Sequence, residues 1–140
     1  MLFRSRRFLV VNGHGGNEAG RPGLDSWEAA HPEAEVLWHN WWNAPGTWAV
    51  VQAIDPQASH ASWLENFPWT RLTGVELPRE RKPMVDVSRV RETAPAQVRE
   101  LLGDGSFGGL YERPDEDVLG VWQAGVEEVR DVLATAWRDA

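Results

Sequence analysis

There is no cysteine in this 140-residue chain, which excludes disulfides, thiolate zinc sites and cysteine nucleophiles. Basic charge is also scarce: 14 Lys and Arg stand against 21 Asp and Glu, a formal charge of -7. That balance argues against a nucleic-acid partner, because phosphate binding needs a basic footprint. No apolar run approaches the roughly 18 residues of a membrane span. Arg4, Arg6 and Arg7 flank Phe8 to Val11, a run far too short for the core of a signal peptide. Several catalytic signatures are missing as well. The glycine-rich turn from Asn12 to Asn17 lacks the Gly-Lys-Ser/Thr ending of a phosphate-binding loop. The glycines between Gly103 and Gly109 have no dinucleotide-binding context, and no serine sits in a nucleophile elbow. The expectation is a soluble, cytoplasmic protein with neither nucleic-acid nor membrane partners.

Hydrophobic content of 42% and charged content of 25% fit one globular domain spanning residues 1–140. Nine tryptophans are the compositional excess: Trp27, Trp38, Trp41, Trp42, Trp48, Trp63, Trp69, Trp122 and Trp137. A core of this size has no use for so many large rings, and aromatic residues are enriched at subunit interfaces. Oligomerisation is the implied outcome.

The chain reads as strand, helix, strand, helix. Phe8-Leu9-Val10-Val11 has the unbroken apolar character of an interior parallel strand. A helix starting at Asn17 is expected to stop at Gly20, Pro22 and Gly23. Asp25 then caps a short second turn that ends near Pro32. Glu35 to Trp38 is the second strand, and Asn40-Trp41-Trp42-Asn43 leaves its carboxyl end. Gly46 to Ile54 is either a short helix or irregular, and Ser59 to Phe67 holds one or two helical turns limited by Pro68. Residues 70–93 read as a solvated excursion, and Pro95 opens a helix running to about Leu102. In the last helix Val118, Trp122, Val126, Val129, Leu133 and Trp137 form one apolar stripe. Two strands do not make a doubly wound sheet, so the chain reads as an incomplete α/β domain.

Asn12-Gly13-His14-Gly15-Gly16-Asn17 is the richest stretch. Its glycines permit a sharp turn and close approach by a ligand or metal. It follows a strand, and ligands of open α/β sheets sit off the carboxyl ends of strands. His14 is therefore expected to bind a ligand or act in catalysis. Of the other histidines, His31 reads as a surface residue and His39, after the second strand, is ambiguous. His60 and Glu65 lie about one helical turn apart and can reach a shared site. Imidazole and carboxylate suit zinc or manganese. The competing reading of Ser62-Trp63-Leu64-Glu65 is a capping box, in which Glu65 bonds back to its own helix terminus.

The Asn12–Asn17 turn after a strand resembles the signature of the creatininase family, which includes creatinine amidohydrolase, related deformylases and peptidase-like maturation enzymes. Arg6 to Val11 resembles the family's lead-in strand, and Asn40-Trp41-Trp42 its aromatic segment after the next strand. Ser59-His60-Ala61-Ser62-Trp63-Leu64-Glu65 resembles its His-Ala-Gly-x-x-Glu-Thr-Ser stretch. The glycines from Gly103 to Gly109 and the last helix fall where the family has a glycine-rich loop and a closing helix. The resemblance covers nearly the whole chain. It implies an α/β three-layer sandwich with a mainly parallel sheet, of which this chain corresponds to the C-terminal half only.

The resemblance also implies chemistry. In that family a metal pair, commonly zinc, manganese or iron, activates water against an amide carbonyl. His14 and Glu65 would be metal ligands, and His60 the general acid/base or oxyanion partner. Gly15 and Gly16 would admit substrate, with Trp41, Trp42 and Trp63 walling a pocket for a small, flat or cyclic amide. The departures are specific. The family's Glu-x-His segment and following Asp, which complete the ligand set, have no counterpart here. Ser62 replaces the motif glycine, Asn66 and Phe67 replace Thr and Ser, and Pro22 interrupts a longer helix. Three explanations follow. A complementary subunit supplies the missing N-terminal half and shares the metal; or the chain is a non-catalytic binding or scaffold subunit; or it binds one metal alone through His14, Glu65 and His60 or His39.

Overall fold

The apolar run at Phe8 to Val11 does form a strand. In the computed structural model, which describes residues 5–137, β1 spans Arg7–Asn12 and β2 spans Glu35–Asn40. Arg4 lies outside the described residues. The strands pair in parallel, with Arg7 opposite Glu35 and Asn12 opposite Asn40. A parallel pair needs a crossover to return the chain to the same end of the sheet. Helix α1 (Arg21–Ala30) lies in that connection. Among the described residues the sheet has these two strands, and the protein is a mixed helix-and-strand fold.

The approach to α1 differs from expectation. Gly20, Pro22 and Gly23 do not break the helix; a 3-10 turn (Gly15–Gly20) runs directly into it, with Pro22 in its first turn. At that position the N–H that proline lacks has no helical acceptor anyway, and its fixed φ suits the helix. The proline starts the helix it was expected to stop. Short 3-10 turns at Trp41–Asn43 and Trp63–Glu65 stand where the strand exit and the limited helical turns are expected. Helix α2 (Pro45–Ile54) resolves the ambiguity after Gly46 as a helix. Helix α3 (Val87–Glu92) falls inside the supposed solvated excursion, capped by the Asp86 carboxylate accepting from the Ser88 N–H. Helices α4 (Pro95–Leu102) and α5 (Asp115–Thr135) lie where the sequence places them.

The chain divides into two compact units, and the division falls within α2 and α5. One holds the residues up to Trp48 together with those from Ala124 on. In it the Glu128 carboxylate caps the start of α2, accepting from the N–H groups of Gly46 (3.0 Å) and Thr47 (2.9 Å) and from the Thr47 hydroxyl (2.9 Å). Burial pushes this carboxyl up, but those hydrogen bonds and the nearby His39 more than offset it and hold it below the usual range. Phe8 meets Trp27 edge-on, and Trp27 stacks on His31.

The other unit, Ala49–Gln123, buries Val51, Ala58, Trp63, Phe67, Val118 and Val121. Its glycine-rich loop makes the close approach its composition implies. Gly108, at φ +111°, lies against residues 83 and 84, where a Cβ would come within 2.6 Å of the Pro83 carbonyl oxygen. Lys82 bridges Gly109 in antiparallel fashion, and the Val85 N–H donates to the Phe107 carbonyl (2.8 Å). The Lys82 ammonium also donates to the carbonyls of Leu102 (2.6 Å) and Ser106 (2.8 Å) and to Asp104, which accepts from Tyr111 as well.

The apolar stripe of α5 is only partly core. Val118, Val121 and Gly125 are buried, whereas Trp122, Val126 and Leu133 are exposed. Steps of four overshoot a turn of roughly 3.6 residues, so the line through Trp122 and Val126 drifts off the buried face. Trp122 joins Phe67 and Trp69 in an aromatic cluster instead, 5.9 and 5.0 Å away between ring centroids.

Two outcomes follow from this packing. Gly108→Ala combines a left-handed φ with a backbone clash, and is expected to lower unfolding stability by about 2–3 kcal/mol in urea titrations. Hydrogen bonds from Lys82 and Tyr111 lower the Asp104 pKa from 3.8 to about 2. Its stabilisation is therefore full above the ordinary value and is lost as pH falls through about 2. Thermal scans of wild type and Asp104→Asn are expected to differ at neutral pH and to converge in that acid window.

Candidate functional site

Both parallel strands end in asparagine, and their side chains join. Asn12 is 2% exposed. Its Nδ2 donates to Asn40 Oδ1 (2.8 Å), while its Oδ1 accepts from the His14 N–H (3.2 Å) and from Asn17 Nδ2 (2.9 Å). Asn40 Nδ2 donates to Glu18 Oε1 (2.7 Å). Trp38 Nε1 lies within hydrogen-bond reach of both Asn40 Oδ1 (2.9 Å) and Glu18 Oε1 (3.1 Å). The strand ends and the glycine-rich turn thus form one polar network, and every described hydrogen bond in it runs from a donor to an acceptor. Glu18 is the member that sequence reasoning missed. Its partners lie on β2, and only the strand register brings them alongside the turn.

His14 has a local role in this conformation. It is the N-cap of the 3-10 turn, and its Nδ1 accepts from the Gly16 N–H at 3.0 Å. A neutral ring that accepts at Nδ1 carries its proton on Nε2. Metal ligation requires either that Nδ1 leave Gly16 or that the tautomer reverse, and both outcomes break the cap. The cap is worth about 1 kcal/mol. Gly16 fits the same geometry, because a Cβ there would lie 2.9 Å from His14 Nδ1. Gly15 and Gly16 are both exposed.

In the second unit His60 and Glu65 do come together. His60 Nδ1 is 3.0 Å from Glu65 Oε1, with side chains 39% and 55% exposed. The same carboxylate oxygen accepts from the Ala61 N–H at 2.8 Å. The capping box is not made, since Ser62 gives the turn no side-chain cap and its hydroxyl donates to the Ser59 carbonyl instead. Ala61 sits between the two site residues in the left-handed region, at φ +52°, a conformation that is strained for a residue with a Cβ. The glycine-rich loop holds this stretch from the other side. Phe107 N–H donates to the His60 carbonyl (3.0 Å), and the Trp63 N–H donates to the Leu110 carbonyl (2.8 Å). The Phe107 ring meets the imidazole edge-on, 5.0 Å between centroids.

Glu65 also borders a cleft of about 640 Å³, whose wall includes Ala61, Ser62, Asn66, Arg71 and Tyr111. Trp63, expected as a pocket wall, is fully buried. Its indole N–H donates to Asp55 (3.2 Å) and the Arg113 guanidinium lies 5.5 Å from its ring centroid, so its side chain belongs to the core of that unit. Trp41 and Trp42 are half-buried, and Trp41 lies where a Cβ on Gly125 would meet its ring at 3.1 Å. His31 donates from Nδ1 to the Trp27 carbonyl (2.7 Å), a structural contact. His39 Nε2 is buried with no hydrogen-bond partner among the described residues.

The Glu65 Oε1 is engaged by His60 and Ala61, and His14 Nδ1 by the Gly16 N–H. Among the described residues no group of three His, Cys, Asp or Glu side chains is gathered for a metal. Imidazole and carboxylate are donor types that suit zinc or manganese. No family model, no curated protein and no solved structure matches this chain.

The double role of His14 has a direct check. His14→Asn keeps a capping side chain and is expected to hold stability within about 1 kcal/mol of wild type, whereas His14→Ala loses the cap at a cost of about 1 kcal/mol in thermal or urea unfolding. Equal losses in the two variants would rule out the cap.

Proposed function

We propose that this chain is one subunit of a metal-dependent amide hydrolase, cytoplasmic, with an active site completed by a partner chain. The observation that carries the reading is the carboxylate-oriented imidazole, His60 Nδ1 on Glu65 Oε1 at 3.0 Å. A neutral histidine that donates its Nδ1–H to a carboxylate has its lone pair on Nε2 and one ring orientation, the arrangement required of a general base. Having accepted a proton there, the ring passes it to a departing amine, and the Glu65 carboxylate stabilises the transient imidazolium. A bound divalent ion, zinc, manganese or iron, supplies an activated water and polarises the amide carbonyl. By the resemblance, His14 of the first unit and Glu65 of the second would each be a metal ligand, and the partner chain would complete the set.

Three observations support a partner. Two apolar parallel strands form a sheet smaller than stands alone in water. Phe8 and Val11 of β1 are exposed although such strands are normally covered on both faces. Trp27, Trp48, Trp69 and Trp122 stand 39% to 56% exposed, as residues of buried subunit contacts do before assembly. The resemblance to the creatininase family supplies the reaction class and the three-layer sandwich that the assembled pair would form. One observation favours the alternative, a non-catalytic binding or scaffold subunit: the His14 ring already serves its own turn as a cap.

Native mass spectrometry of the protein purified from its own cells without chelator separates the two. The hydrolase reading expects a co-purifying chain and about two metal ions per pair. A metal-free species of this chain alone overturns it in favour of the binding subunit. Within the assembled pair, His60→Ala is expected to lower amide turnover by about 100-fold or more with metal content retained. Unchanged turnover removes the acid/base role.

A further inference from the structure

We propose that Glu18 is a positioning residue for the His14 turn, acting through Asn40 and Asn12; this rests on the reading of His14 as the working residue of that turn. The argument is one of hydrogen-bond polarity. A carboxylate only accepts, an indole N–H only donates, and an asparagine amide does one at each end. Asn40 stands between Glu18 and Trp38. Its Oδ1 lies 2.9 Å from Trp38 Nε1 and its Nδ2 lies 2.7 Å from Glu18 Oε1. Reversing the amide would set N–H against N–H at the indole and oxygen against oxygen at the carboxylate. Glu18 and Trp38 therefore fix which way Asn40 points.

That choice propagates. Asn40 Oδ1 accepts from Asn12 Nδ2 at 2.8 Å, so Asn12 must present its amide nitrogen to β2 and its oxygen to the turn. There the oxygen takes the His14 N–H at 3.2 Å and Asn17 Nδ2 at 2.9 Å. Asn12 is 2% exposed, so bulk water does not substitute for a lost partner and the cost of a wrong orientation is that of a buried unsatisfied group. The backbone on which the imidazole rides is thus set by a carboxylate four residues further along, by way of the neighbouring strand. Glutamine at position 18 keeps an acceptor oxygen and preserves the polarity, whereas alanine leaves Asn40 Nδ2 without one.

The test reads hydrogen exchange by NMR at the Asn12 side-chain amide and the His14 backbone amide, with the Leu9 amide of β1 as the internal standard for overall stability. Glu18→Ala is expected to speed exchange at both sites by about tenfold relative to Leu9, and Glu18→Gln to restore it to within about twofold of wild type. Trp38→Phe removes the second polarity-setting group while keeping a ring, and is expected to speed the same two sites, which keeps the test open if Glu18→Ala fails to fold. Unchanged exchange in a folded Glu18→Ala or Trp38→Phe variant overturns the proposal, as does a glutamine variant as loose as alanine. Metal content of the co-purified complex separates this from the functional reading. A loosened turn with full metal retention upholds the relay and removes His14 from the metal, whereas metal loss with an unaltered turn overturns the relay and makes Glu18 act on the metal directly.

Discussion

Asn12 is the residue on which the first unit depends. It closes β1, is almost wholly buried, and carries an amide that must be satisfied on both sides. The structure meets that demand from three directions: Asn40 at the end of β2, the backbone of the His14 turn, and Asn17 within the following 3-10 turn. A buried amide missing a partner costs about 1–3 kcal/mol, a large part of the margin by which a domain is folded. One side chain therefore couples strand register, turn geometry and the start of the segment leading to α1. A shift of register by one residue would take Asn40 away from Asn12 and leave the buried Asn12 Nδ2 without its acceptor.

The second unit answers the same problem with backbone rather than side chains. The His60 stretch is short and irregular, so its polar groups find partners outside any helix or sheet. The glycine-rich loop provides them, through Phe107, Gly108 and Leu110 on one side and through the Lys82 bridge behind. Gly108 is what makes this possible, because any side chain there would strike the Pro83 carbonyl. The result is a fixed seat for an exposed imidazole–carboxylate pair.

The two histidine sites differ in what their surroundings commit them to. At His60 the Glu65 carboxylate favours the Nδ1–H tautomer. At His14 the Gly16 N–H favours the opposite tautomer. Any ligand on that ring would have to displace the Gly16 contact, which as a cap is worth about 1 kcal/mol.

The strands, α4, α5 and the glycine-rich turn are legible from the chain alone, because each is written in neighbouring residues: an unbroken apolar run, a proline at a helix start, a cluster of glycines. Spacing also lets Glu65 reach either His60 or its own turn, and leaves the choice open. The role of Pro22 was misjudged because a proline both stops and starts helices, and only the geometry of the preceding turn selects between them. The α5 stripe was half right because steps of four drift around a helix, and the face that is buried depends on what packs there, as the Trp41 ring does at Gly125. Trp63 reads equally well as wall or core until Asp55 and Arg113 are placed around it. Glu18 carried no local signal at all. What tertiary structure alone decided was the set of partners distant in sequence, since hydrogen-bond polarity and burial depend on which atoms are brought within about 3 Å of each other, and local sequence constrains that only through the fold.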